Sequence, residues 1–164
     1  MTDVKSLITT AERNFGVLKR EVEGLTHADS LVQPPFRGNC LNWVVGHVTQ
    51  SRDKMLQALG EASVWTAEQI DRYERESEPI TADMPGVIPF EQMMADLAIT
   101  QERLLGALKR CEQTTLDTRA PEVIKGLPEW SIGETLAFLL WHETYHVGQT
   151  NLLRQVAGKN DKTI

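Results

Sequence analysis

The sequence predicts an all-α protein, a four-helix bundle with a long crossover between its second and third helices. Three observations carry that prediction. Apolar residues recur at spacings of three and four along four separate segments, and two capping-box motifs open helical patterns. No alternating apolar run and no Asn-Gly hairpin signal announces a strand.

The first helix is expected over residues 3–26, where Val4, Ile8, Ala11, Phe15, Leu18, Val22 and Leu25 form the seam of a packed helix. Residues 27–39 carry Pro34, Pro35 and Gly38 and read as a connection, with His27 solvated at its start. Asn39 is placed to cap a second helix that runs to Leu59 and stops at Gly60. Its inward row is Cys40, Val44, His47, Ser51, Met55 and Ala58, with Trp43 and Val48 beside it.

An acid-rich crossover follows and closes with Pro79, Pro85, Gly86 and Pro89. Inside it, Thr66 and Gln69 form a capping box that opens a short helix to Arg75. The third long helix begins at Pro89 and continues to Gln113, its stripe of Phe90, Met94, Leu97, Leu104, Leu108 and Cys111 interrupted by Gln101. A loop around Pro121, Gly126 and Pro128 leads to the second capping box, Ser131 with Glu134, and a last helix to Ala157.

A chain of 164 residues with this pattern fits a single domain over residues 1–164, large enough to bury a core without staples. The formal net charge of −6 argues against nucleic-acid binding, which needs clustered Lys and Arg, and against anionic membrane surfaces. No segment approaches the roughly 20 apolar residues that span a bilayer, and MTDVKSLITT lacks the apolar core of a secretory signal. A cytoplasmic location is the expectation. The two cysteines, Cys40 and Cys111, form no CxxC pair and read as small buried hydrophobes.

The last helix contains His142-Glu143-Thr144-Tyr145-His146, a match to the HExxH pattern of zinc peptidases. Positions i and i+4 share a helical face, so two imidazoles there can grip one metal ion. The peptidase reading lacks a third ligand. The residues after His146, 147–164, include no glutamate, and the HExxHxxGxxH continuation fails at Gln149 and Leu152. Upstream, His47 occupies the inward row of the second helix, and helical bundles build metal sites from facing helices. His47, His142 and His146 therefore point to a common interior. Glu143 is the candidate catalytic base by analogy with HExxH enzymes, although it lies about 100° round the helix from His142 and is equally placed to orient an imidazole or bridge two helices. Tyr145, Gln149 and Asp53 read as supporting residues. Trp43, Trp65, Trp130 and Trp141 read as core or interface residues, Trp65 also being placed to serve as a lid.

Trp43-x-x-x-His47 on the second helix, combined with His142-x-x-x-His146-x-Gly148-Gln149 on the last, resembles the DinB/YfiT-like superfamily of metalloenzymes, unrelated to the DNA polymerase of similar name. The resemblance implies a bundle in which His47, His142 and His146 hold a divalent metal, zinc or nickel. It also implies homodimers, and a reaction such as transfer of a low-molecular-weight thiol, related members being thiol S-transferases, bacillithiol-dependent ones among them, or mycothiol-dependent isomerases. A small-molecule electrophile attacked by a metal-activated thiol or water is the expected substrate. The alternative is a non-catalytic metal-binding module of a stress response.

Overall fold

The computed structural model describes residues 2–124, 129–161 and 163. It is all-α, and among the described residues the only β pairing is an isolated bridge between Arg119 and Ser131. Four long helices dominate: α1 (Val4–Val22), α3 (Leu41–Ala58), α5 (Phe90–Arg110) and α7 (Ile132–Val156). Three short ones occupy the connections: α2 (His27–Ser30), α4 (Ala67–Arg72) and α6 (Gln113–Leu116). Both α3 and α1 pack against α5 and α7. No helix among the described residues is long and apolar enough to cross a membrane.

Both expected capping boxes form, on α4 and α7, where Thr66 and Ser131 accept the N–H of the third helical residue. A third, unanticipated one opens α2, with Thr26 and Asp29 exchanging the same two bonds. The expected cap at Asn39 does not form. Cys40 is the residue at the N-cap of α3, without a side-chain bond. The third long helix ends at Arg110 rather than Gln113, because the backbone turns extended at Cys111 before α6 begins. His27 is not simply solvated: its Nδ1 accepts the N–H of Phe90 at 3.2 Å, satisfying a donor in the first turn of α5 that Pro89 cannot serve.

The inward face of α1 is Leu7, Ala11, Asn14, Leu18, Glu21 and Val22, so Val4, Ile8 and Phe15 lie at its margins. On α5, Met93 takes the core position expected of Met94. The central helix is α3, buried on every side because α5, α7 and the 59–89 connection cover it. Burial of the whole expected row, from Cys40 to Ala58, follows from that position.

The 59–89 connection is fastened rather than loose. Asp53 on α3 accepts the backbone N–H groups of Val64 (2.8 Å) and Trp65 (2.9 Å), and the Trp65 indole donates to Asp96 on α5 (2.8 Å). Trp65 is thus a core residue and not an exposed lid. Tyr73 donates its hydroxyl to Asn42 and accepts from the N–H of Ile88, each at 2.9 Å. Its ring lies directly on Gly46, where an added Cβ would stand 2.1 Å from the ring. Only glycine lets Tyr73 dock there.

Two apolar clusters make up the core. One gathers Val44, Val48, Leu97 and Val147, and the other Met55, Leu104 and Leu140. Between the two clusters in sequence lie Arg52 on α3, Gln101 on α5 and Glu143 on α7, all buried. These three meet. The Arg52 guanidinium donates to both Glu143 oxygens (3.0 and 2.8 Å), to Gln101 Oε1 and to the Ala11 carbonyl (3.3 Å). Arg52 and Glu143 are almost wholly buried, and the Phe15 ring lies 5.6 Å from the guanidinium carbon. A buried ion pair is tolerable only when its geometry and remaining hydrogen bonds are complete, and here the fork of donors is filled.

Candidate metal centre

His47 reaches the site from the middle of α3, and His142 and His146 from successive turns of α7. One ligand nitrogen from each lies within 4.8 Å of the others. His146 Nε2 and His142 Nε2 are 3.1 Å apart, close to the separation of about 3.3 Å that two imidazoles take when they share a zinc ion tetrahedrally at about 2.0–2.1 Å. The His47 ring centroid is 5.1 Å from that of His142 and 4.9 Å from that of His146, nearly perpendicular to both.

Neighbours fix which nitrogen two of the rings present. His47 Nδ1 is 2.7 Å from the carbonyl oxygen of Tyr73. A carbonyl can only accept, so Nδ1 carries the proton and Nε2 keeps its lone pair. His146 Nδ1 donates in the same way to Gln149 Oε1, 2.8 Å away and one turn on, leaving its Nε2 toward His142. Outer partners of this kind set the tautomer and raise the basicity of metal-ligating histidines. Aromatic rings complete the mounting. Trp43 stacks on His47 with centroids 4.7 Å apart and planes 9° from parallel, while Phe138 lies nearly parallel to His142 at 6.3 Å.

Burial pushes the His47 pKa down from 6.5 to about 4, against the pull of the Tyr73 carbonyl. Burial likewise takes His142 to about 4, helped by the positive charges of Lys54 and Arg75, and lowers His146. All three imidazoles are therefore neutral at pH 7, the form that binds a metal. The donor set fits a divalent cation: three neutral nitrogens at ligand spacing, two of them oriented by second partners.

Beside the histidines stands a polar wall that the sequence reading missed. Glu74 accepts from Gln50 Nε2 (2.7 Å), Lys54 Nζ (2.5 Å) and the Arg75 N–H (2.9 Å). Burial opposes its charge, yet these bonds hold its carboxyl below the usual range. Nothing in the sequence pattern flagged Tyr73 or Glu74, since both lie in an acid-rich connection without periodicity. Glu143, expected as the candidate base, is turned away onto Arg52, in the bridge between α3 and α7. Gln149 supports His146 as expected, whereas Asp53 holds the connection and does not touch the histidines. Tyr145 is exposed with its ring 5.2 Å from that of His146.

A sequence model of the DinB superfamily matches residues 11–150, most of the chain and all three histidines. The chain belongs to the DinB superfamily. No curated protein is significantly similar to it in sequence. In three dimensions this DinB-superfamily chain is similar to a conserved protein of Enterococcus faecalis solved by crystallography, with a TM-score of 0.71 over 96% of this chain and 98% of the other. The two share 14% identity, so the likeness is one of fold.

Proposed function

We propose that this DinB-superfamily chain is a metal-dependent enzyme in which His47, His142 and His146 hold one divalent ion, zinc or nickel, and that it transfers a low-molecular-weight thiol, or water, to a small electrophile. The reading takes residues 1–164 as one domain and the four long helices as a bundle crossed by the 59–89 connection. The observation that carries it is the number of ligands. Among the described residues the cluster contains three histidines and no fourth Cys, His, Asp or Glu. Three protein ligands with a position left over is the pattern of catalytic rather than structural zinc.

Bound there, the ion would supply Lewis acidity, bringing a coordinated water to a pKa of about 7 or holding a coordinated thiol as thiolate. The chain's own residues do the rest. Tyr73 and Gln149 keep the Nδ1 protons of His47 and His146 in place, so that both rings present Nε2. Trp43 covers the face of His47 and excludes water from it. Glu143 serves as a positioning residue in this scheme: its charge locks α7 to α3 through Arg52 and so sets the register of His142 and His146 against His47.

The test is to incubate metal-loaded protein with low-molecular-weight thiols and a panel of aryl halides and epoxides. Conjugation or hydrolysis well above the rate with metal-stripped protein is the expected result. No product across the panel, with the metal still bound, would overturn the enzymatic reading in favour of a non-catalytic metal-binding module.

A further inference from the structure

Beside His146 the surface opens into a groove of about 250 Å³ between α7, the start of α3 and the loop at residues 36–39. Its floor is apolar and buried, made by Trp43, Val44 and Leu153. Its rim holds Phe36, Tyr145 and Leu152, three of the six large apolar side chains exposed among the described residues. Exposed apolar surface gathered at one concave place marks a binding site more than the same residues scattered would.

The polar lining is of one sign. Arg37 stands in the groove, no Asp or Glu lines it, and Arg37 makes no ion pair among the described residues, in a chain of net charge −6. His146 and Gln149 form the wall shared with the histidine cluster, so a ligand seated here lies against an imidazole of the candidate metal centre. The volume is below that of pockets for drug-sized ligands, about 300–1,000 Å³, and suits one ring with a short tail rather than the row of side chains by which a partner helix docks.

We infer that this groove is the substrate subsite, and that it takes a small aryl or branched alkyl compound carrying a carboxylate, its apolar part on Trp43 and Leu153 and its anion toward Arg37. The inference rests on the proposed function for its catalytic meaning, though the groove itself contains neither His47 nor His142. It narrows the electrophile from any small molecule to an anionic, apolar one.

The experiment titrates the isotope-labelled full chain with 4-phenylbutanoate and with its uncharged amide, following backbone resonances by NMR, in zinc-loaded and metal-free protein at pH 7.5. In the metal-free arm no Lewis acid competes for the carboxylate, and the site histidines are neutral. The acid is expected to shift Phe36, Arg37, Tyr145 and Leu152 in both forms and to bind about 3-fold or more tightly than the amide, as one partly exposed charge pair provides. Arg37→Gln should remove that preference, and Leu152→Glu should weaken the acid more than the amide. Equal affinities untouched by Arg37→Gln, shifts confined to another surface, or a dimer in which these residues are covered and neither probe binds would each overturn the inference. Failure of the metal reading would show instead as absence of bound zinc, with the metal-free titration unchanged.

Discussion

The Nδ1 nitrogen of His47 lies 2.7 Å from the backbone carbonyl of Tyr73, a residue held in place because its ring rests on Gly46, the neighbour of His47 on α3. One glycine thus admits the ring whose own carbonyl orients the candidate ligand next to it. Gly46→Ala should force Tyr73 off the helix, costing about 1–3 kcal/mol of stability and about 10–100-fold in zinc affinity as His47 loses its orienting bond. Chelator competition and urea denaturation measure the two effects. Unchanged zinc affinity in a folded variant would separate the Tyr73 contact from the metal centre.

Gln149 offers a gentler version of the same test. Its Oε1 holds the Nδ1 proton of His146 within one helix, and it is not part of the core. Gln149→Ala is expected to leave the melting temperature within a few degrees of the parent and to weaken zinc about 10-fold. Equal zinc affinity in parent and variant would mean that His146 needs no such partner.

Glu143 is predicted to matter for stability first. Glu143→Gln leaves the Arg52 guanidinium buried without a counter-charge, a loss of about 3–5 kcal/mol, or roughly 6–20 °C in melting temperature for a chain of this size. Replacing Arg52 with Met as well should recover much of that loss, since the pair can give way to apolar packing. A Glu143→Gln variant that melts like the parent but has lost turnover would restore Glu143 as a catalytic base.

The histidines also make the metal-free protein acid-sensitive. His47 and His142 titrate near 4 when folded, against 6.5 as the ordinary value. Between those values the unfolded chain takes up protons that the folded chain refuses, so stability is greatest above about pH 6.5 and falls as pH drops toward 4. His47 contributes on the order of 3 kcal/mol to that fall, and half-buried His142 less because solvent screens it. Urea midpoints of metal-free parent and His47→Gln, compared at pH 7 and pH 4.5, isolate the effect. The variant should lose less stability on acidification, and parallel losses would contradict the assignment.

Much of this was legible in the sequence, and what was not has a common cause. The helices followed from apolar spacing, and the three histidines from an i, i+4 pair joined to one more inward position. Local rules of that kind act within a turn or two. The partners that finish the site act over longer separations. The Tyr73 carbonyl belongs to a backbone whose path no side chain advertises, and Gly46 shows its purpose only once the ring above it is seen. Arg52 did leave a trace: Gln101 and Glu143 each interrupt an apolar stripe, and a buried acid demands a cation. Which cation answers it was not readable, because residues 49–54 on α3 are all polar. By contrast, Asn39 looked like a cap by residue type alone, and the turn geometry gave that position to Cys40.

The assignment of His47, His142 and His146 to one metal site can be checked by elemental analysis of the purified chain beside His47→Ala and His142→Ala variants. About one zinc or nickel ion per chain is expected in the parent and little in either folded variant, as loss of one of three ligands requires. A parent without metal after incubation with either ion, or metal retained in the absence of His47, would contradict it.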